Sequence, residues 1–522
     1  MHRQRYKFMA LNLKPQQSGI WNPESSIFVL FPAVTAFLLI LSYPKFSQGW
    51  LAWVALAPLS FYILKARTLK AAAAGGAACG IVFYFGIIYW IYPTMRAGGI
   101  SPGVSALGLA LLSFLLSAEF LLISIYGFRL KKTGLKTWPY LFALGWLLLE
   151  YGKVYLSLKA VWFPWFMLGY TQWDYAPLIQ IASVTGVYGL SAAVCFGGAL
   201  IGSLFALEAP VYKKILRFSP AALIFSGIWL FGRQELRRAE VFQPVKSFRA
   251  ALLQPSIDQY AKWDASEAGN IKTRIENLLA GIKGAELVVW PENALPCWID
   301  EPDCYAWLRS VVSSGTAAGS FIGSVSKGGG KHVSAFLLDG KGEITASYNK
   351  RRLVPFGEYV PLRGFLGKYI QPVAALGEFD PGDEEQKLLD FKGIKIGAAI
   401  CYESVFPYFF AGDTRGGADI FINITNDGWY LATAAPYQHF IANIFRAVEN
   451  RRTVVRVANN GISAVIDPWG RTLAKTALNE RTVLSVPAPI YAEQASFPLS
   501  GHWFAVAAML IVSAFLLAAF FI

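Results

Sequence analysis

Apolar residues fall along the chain in two regimes. From 26 to 232, and again from 500 to 522, they form long blocks with short polar punctuation, whereas 240–490 mixes apolar and polar positions as a globular domain does. A helix that spans a bilayer needs about 20 mainly apolar residues. Eight blocks approach that length: 26–43, 48–64, 71–93, 103–128, 137–152, 180–207, 217–232 and 500–521. A further stretch, "WFPWFMLGY" at 162–170, is aromatic and broken by Pro164, which predicts an interfacial or re-entrant segment. The expected organisation is a short N-terminal segment (1–25), a seven-helix transmembrane domain (26–235), a globular domain (240–490) and an eighth transmembrane helix (500–522).

Within 240–490 the pattern changes period. Short β-rich runs recur: "RAALLQ", "AELVVWPE", "FIGSVS", "VSAFLLD", "EITASYNK", "IKIGAAICYE", "ADIFINITND" and "TVVRVANNGISAVID", with helix-like stretches at 267–284 and 436–450 between them. Strands alternating with helices, and apolar on both faces, predict an α/β domain with covered sheets. Three runs close on reactive side chains: Glu292 after "LVVWP", Lys350 after "TASYN" and Cys401 after "GAAI". The carboxyl ends of strands are where α/β sheets build sites.

Charge adds an orientation. Only 15% of the residues are charged and 55% are hydrophobic, against about 25% charged in a soluble domain. Fourteen basic residues, in the N-terminal segment and around 65–70, 129–136 and 213–217, lie on one side of the expected spans, against four (Lys45, Arg96, Lys153 and Lys159) in the opposite loops. By the positive-inside rule the first set is cytoplasmic, so both termini are expected there and the globular domain on the far side. Those segments hold most of the net charge of +14. The basic balance therefore reads as topology and contact with the lipid bilayer, and no nucleic-acid partner is expected.

Five cysteines and four histidines are present, with no CxxC or HExxH pattern, so neither a metal nor another cofactor is expected. Cys79 and Cys195 lie in spans, where Cys packs as a small residue. Cys297 and Cys304 face an oxidising compartment in this topology and could pair. On one continuous helix, however, they would stand about 10 Å apart along the axis, too far to bridge.

Cys401 has two readings, a packed core thiol or a nucleophile held where a strand turns to a helix. A nucleophilic thiol needs a base or a nearby cation. His439 is the only plausible histidine, and it also reads as a structural helix residue. Glu292, set in "WPENALP" behind a tryptophan and two prolines, is the better base, although it also reads as an ordinary helix-start carboxylate. Lys350 lies beside Arg351 and Arg352, either in a solvated basic cluster or as the cation for a thiolate and an acyl oxyanion. Glu358 would fix that ammonium, or else is a surface-turn carboxylate. Glu119 and Glu150, inside or at the edge of spans, are expected to serve helix packing and orientation, or lipid entry.

A Glu, a Lys and a Cys, in that order and each closing a strand, resemble the nitrilase superfamily of carbon–nitrogen hydrolases. The motifs "WPENALP", "YNKRRLVPFGEYVP", "ICYESVFP", "NITNDGWY" and "RVANNGISAVIDPWG" extend that resemblance over most of 248–487. Inside the superfamily, the eight-span frame and "FPWFMLGY" resemble the apolipoprotein N-acyltransferase family. The resemblance implies an αββα sandwich on the periplasmic side of the bacterial inner membrane. It also implies ping-pong transfer of the sn-1 acyl chain of a phospholipid, through a Cys401 thioester, to the α-amine of a diacylglyceryl-cysteine on an apolipoprotein. Glu292 would be general base and Lys350 would stabilise the tetrahedral intermediate. Glu358 and Glu403 would support them, while Tyr402 and Trp263 match positions lining the family's site. The chain departs from the family at "QPS" (254–256), at "HVS" (332–334) and at Lys153, where arginine is common.

Two rivals stay open on the residues alone. One is a membrane-embedded nitrilase-type amidase with water as acceptor, and the other a transporter or receptor with a degenerate domain. The Gly- and Pro-rich segments 326–331 and 354–368 are candidate lids. A monomer is expected, since the spans can cover one another.

Overall fold

A computed structural model of the chain describes residues 30–159, 162–315, 317–362, 364 and 378–521. The segment 1–25 and part of the 354–368 loop lie outside the described residues.

All eight apolar blocks are helical where described. Five helices are long and apolar enough to cross a membrane: Leu69–Ile87 (α1), Pro102–Thr133 (α2), Trp138–Leu158 (α3), Ala182–Ala206 (α4) and Val211–Val241 (α5). Two others, Leu30–Ser42 and Gly49–Lys65, are shorter, and the eighth block lies in the 25-residue helix Phe497–Phe521. Leu107, Leu111, Phe114 and Leu122 on α2, with Leu216, Leu223 and Leu230 on α5, are exposed. So much outward apolar surface suits a lipid environment and not water. Lys65 pairs with Glu208 at 3.8 Å and Lys131 donates to the Ala66 carbonyl, so the basic loop ends grouped on one side in the sequence do meet there.

Two boundaries differ from expectation. Helix α3 continues past the predicted end, so Lys153 is a buried helix residue and not a loop cation. It is tolerable there because it pairs with Glu119 at 3.2 Å. Helix α5 likewise runs on to Val241, past the bound of 235 expected for the helical domain.

The globular part is two six-stranded sheets face to face. The first has the order β12-β1-β2-β3-β4-β5, from Lys246–Gln254 (β1), Leu287–Val289 (β2), Gly319–Ser326 (β3), His332–Asp339 (β4), Ile344–Asn349 (β5) and Thr482–Ile490 (β12). The second has the order β11-β10-β9-β8-β7-β6, from Leu389–Phe391 (β6), Ile394–Ile400 (β7), Ile420–Thr425 (β8), Thr453–Ala458 (β9), Ala464–Ile466 (β10) and Thr472–Lys475 (β11). Each keeps three parallel strands at its centre, β1-β2-β3 and β7-β8-β9, flanked by antiparallel ones.

Leu252, Val289, Phe321, Ile400, Ile422 and Val457 fill the space between the sheets. Ala268–Ala280 (α6) and Pro302–Ser314 (α7) cover the outer face of the first sheet through Ile271, Ile275 and Leu308. Pro407–Arg415 (α8) and Ala435–Asn450 (α9) cover the second. There the apolar cluster runs without a break from Phe410, Ile444 and Val448 into the membrane helices. The sandwich is thus fused to the helical domain through its second sheet.

That junction is polar where it must be. Gly186 interrupts α4 with φ +63°, a conformation that glycine adopts without a Cβ penalty, and this frees the next amide. Val187 N–H donates to Glu449 of α9 at 3.0 Å, and Glu449 is paired with Arg446 at 2.8 Å.

Cys297 and Cys304 form a disulfide, with Cα atoms 6.0 Å apart. The condition that would keep them apart, one continuous helix, is not met, because the helix begins only at Pro302 and leaves Cys297 on a loop that folds back.

Candidate active site

Strand β7 delivers Cys401. Its apolar lead-in "IKIGAAI" buries between the sheet faces, and the chain then turns sharply into a short 3-10 turn, Cys401–Val405. Cys401 itself has φ +51°, a left-handed conformation that costs a non-glycine residue about 1–2 kcal/mol. Such strain persists only where surrounding bonds over-determine it. Glu403 supplies them. Its Oε2 accepts from Ile400 N–H (2.7 Å) and the Tyr348 hydroxyl (2.8 Å), and its Oε1 from the amides of Arg351 (2.6 Å) and Arg352 (3.1 Å). One carboxylate therefore ties the turn at Cys401 to the chain leaving Lys350.

Strand β5 delivers Lys350, whose ammonium lies between two carboxylates, donating to Glu292 at 2.9 Å and Glu358 at 2.6 Å. It is 1% exposed, so the reading of a solvated basic cluster fails for it. Burial alone would lower its pKa, but the charges of Glu292 and Glu358 overcome this and hold it well above the ordinary lysine value. Glu358 is fixed in turn by Val354 N–H, at 2.8 Å.

Glu292 follows β2 on a loop pressed against β3. A Cβ on Gly323 would come within 2.4 Å of the Pro291 carbonyl, so that close approach requires glycine. The loop is pinned by Trp290 N–H to Phe321 O and Ala294 N–H to Gly323 O, both 2.8 Å. Glu292, Lys350 and Cys401 thus come together at the carboxyl ends of strands drawn from both sheets.

The thiol differs from expectation. Its pKa is pushed up, first by burial and then by the charge of Glu292. Lys350 opposes this and loses. At rest Cys401 is held as a protonated thiol and not as a thiolate stabilised by the lysine.

His439 does not reach for the thiol. Its Nε2 lies 3.0 Å from the Cys401 carbonyl oxygen and 3.0 Å from Ser404 Oγ, and its Nδ1 2.8 Å from Asp427 Oδ1. It braces the backbone of the turn. Behind it Arg456 donates to Asp427 at 2.8 Å. Burial would raise the Asp427 pKa, but Arg456 and His439 hold it below the usual carboxylate value.

Tyr402 faces the membrane domain. Its ring stacks on Trp165 at 6.1 Å with 19° between planes, and Trp165 also lies 5.1 Å from the His439 ring. Trp165 belongs to the aromatic "WFPWFMLGY" segment, which is buried against the site, a role beyond the interfacial one expected. Helices α2 and α3 hold that segment in place. Glu119 accepts from the Trp162 indole (3.0 Å) and the Tyr84 hydroxyl (2.7 Å), Lys153 donates to the Phe166 carbonyl, and Glu150 accepts from Leu168 N–H (2.7 Å). The orienting role expected of Glu119 and Glu150 is visible in these bonds.

Trp263 is half-buried on the loop after β1, and the Lys262 ammonium stands 5.7 Å from its ring centroid. Sequence reasoning singled out Trp263 and passed over Lys262, although the two are adjacent in "QYAKWD". Among the described residues no group of His, Cys, Asp and Glu has the arrangement of a metal site.

Residues 249–490 match the family Carbon-nitrogen hydrolase, and residues 35–200 match Apolipoprotein N-acyltransferase N-terminal domain. The chain is 34% identical over 469 residues to a Geobacter metallireducens protein named Apolipoprotein N-acyltransferase, an alignment covering 87% of this chain and 88% of that one. It is 32% identical over 433 residues to a Rickettsia typhi protein of the same name, covering 81% and 84%. Among solved structures, an amidase from Nesterenkonia sp. superposes with a TM-score of 0.35 at 22% identity, covering 48% of this chain and 93% of that one.

Proposed function

This chain belongs to the apolipoprotein N-acyltransferase family, and we propose that it carries an acyl chain from phospholipid to apolipoprotein on Cys401. It is a bacterial membrane acyltransferase with a lipid donor and a lipoprotein acceptor. In the proposed arrangement eight helices span the inner membrane, the sandwich faces the periplasm, both termini are cytoplasmic and the enzyme works as a monomer. The basic-residue asymmetry supports that orientation.

Glu292 takes the proton of the Cys401 thiol as sulfur attacks the sn-1 ester carbonyl. The oxyanion that forms is met by the Lys350 ammonium, fixed in advance by Glu292 and Glu358. Collapse breaks the ester C–O bond, and the departing lysophospholipid oxygen takes the proton back from Glu292. The acceptor's amine then attacks the thioester carbonyl, and the sulfur leaves as the thiol. Glu403 and His439 keep the turn in place, and Tyr402 and Trp263 line the approach.

One observation carries this reading over a soluble-type hydrolase. The residue next to the thiol, Tyr402, stacks on Trp165 of the membrane domain, so the nucleophile's own turn is packed onto the part of the chain that meets lipid. Intact-mass analysis after mixing with phospholipid tests it. A hydroxylamine-sensitive acyl adduct on Cys401, absent in Cys401→Ser, is expected, and no adduct sinks the mechanism. Release of free fatty acid instead of N-acyl product, when a diacylated lipopeptide is also supplied, favours water as acceptor.

A further inference from the structure

The two half-reactions differ in their proton balance. In the first, Glu292 borrows the thiol proton and returns it to the leaving oxygen, so none is left over. In the second, an acceptor amine that arrives as an ammonium has two protons to lose before it is an amide nitrogen. One passes by way of Glu292 to the departing sulfur. The other has no taker among Glu292, Lys350 and Cys401, because Lys350 is already fully charged between its two carboxylates.

Lys262 fits that vacancy in the scheme. It is 1% exposed, lies on the loop after β1, and its Nζ makes no hydrogen bond or ion pair among the described residues, only the contact with the Trp263 ring. A buried lysine without a hydrogen-bonding partner is costly unless it gives up its charge. The loop that carries it is tied to the turn behind Cys401: Gln259 accepts from the Asn426 amide, the Tyr260 ring lies 5.9 Å from that of Trp429, and Asp427 between them bonds His439. Glu292 is the charged group that acts on Lys262. Burial pushes the Lys262 ammonium down to about 7, against the opposing pull of Glu292.

We propose that Lys262 is the base that takes the spare proton of the acceptor's ammonium before that amine attacks the Cys401 thioester. The N–H bond of the acceptor breaks, Lys262 Nζ becomes an ammonium, and that proton is later released to solvent. The step rests on the reading of Cys401 as the acyl carrier.

The experiment separates the half-reactions by mass spectrometry in detergent–phospholipid micelles. Formation of the Cys401 acyl-enzyme is timed first, and its consumption by a synthetic diacylglyceryl-cysteinyl peptide is timed second, from pH 6.5 to 9.5. An α-amine with a pKa near 7.7–8.0 is about one-tenth to one-fifth free base at pH 7. Lys262→Met is therefore expected to slow the second step about tenfold more than the first at pH 7, with the gap closing by about pH 9, where the acceptor is already unprotonated. Lys262→Arg, which keeps a cation that does not give up its proton, is expected to show the same pH-dependent gap. A deficit equal in both steps, or constant across pH, overturns the inference and leaves Lys262 a packing residue. Absence of acyl-enzyme in the unmodified protein overturns the underlying reading instead.

Discussion

Replacing Glu403 with glutamine tests whether the Cys401 turn is held or merely occupied. The carboxylate accepts four hydrogen bonds, two on each oxygen. Glutamine keeps one accepting oxygen and puts an NH2 group against the two donors facing the other. Hydrogen bonds to a charged acceptor are worth about 1.5–3 kcal/mol each, so losing two costs about 3–6 kcal/mol before relaxation. Whichever oxygen is lost, either Ile400 and Tyr348 or Arg351 and Arg352 come loose, and so the nucleophile's turn parts from the lysine's. A displacement of 1 Å in such a site costs about 100-fold in rate. The expected result is acyl-enzyme formation on Cys401 slowed about 100-fold at every pH tested, with a lowered unfolding temperature. Acylation within threefold of the unmodified enzyme refutes the clamp. A deficit confined to one side of a titration refutes it differently, by showing that Glu403 moves a proton.

Lys350→Met leaves Glu292 and Glu358 facing each other without their cation and removes the donor to the oxyanion, so acylation should fall by about 100- to 1,000-fold; a loss under tenfold in a stopped acylation assay would remove Lys350 from the transition state. Because burial and Glu292 keep the Cys401 thiol protonated at rest, its alkylation by iodoacetamide should be slow at neutral pH and climb about tenfold per unit up to at least pH 10 without levelling; a plateau near pH 7 would mean that a thiolate pre-exists. Converting both Cys297 and Cys304 to serine opens a seven-residue loop and should cost about 2–3 kcal/mol of stability, read as a lower denaturant midpoint, with acyl transfer preserved under conditions where the protein stays folded.

The strand ends were legible because each breaks a pattern. An apolar run that ends abruptly on Glu292 or Cys401 has no packing reason to do so, Lys350 closes a mostly exposed strand on a buried cation, and all three meet. Other features depend on sums that a linear reading cannot take. The protonation state of Cys401 is decided by burial against Lys350, and burial wins. Lys262 sits in a polar loop and reads there as solvated, since nothing local announces that it is buried. Strand β12 was missed because Pro487 and Pro489 argue against a strand. Its place at the sheet edge is what tolerates them. The disulfide stays open in the sequence for a different reason. Pro302 at the start of its helix was a readable signal that the helix begins after Cys297. The stacking of Trp165 on Tyr402 joins residues far apart in the chain, and periodicity carries no trace of it.

Counting charge around the thiol gives the order of events. With the two carboxylates paired to Lys350 ionised and Cys401 neutral, the four groups Glu292, Glu358, Lys350 and Cys401 carry a net charge of −1 in a buried site. Ionising the thiol by losing its proton to water would make the cluster −2, and burial makes each added charge expensive. Passing the proton to Glu292 keeps the cluster at −1 while the sulfur becomes nucleophilic. As the sulfur bonds to carbon the negative charge moves onto the ester oxygen, and Lys350 is already there to meet it. The same burial that keeps the resting thiol unreactive therefore favours a single coupled step, in which proton transfer to Glu292 and attack on the lipid ester advance together. A solvent deuterium isotope effect on acyl-enzyme formation is the expected signature. A rate independent of deuterium, with chemistry shown to be limiting by its response to the ester's leaving group, would mean that the proton moves before attack and that the charge count does not govern the step.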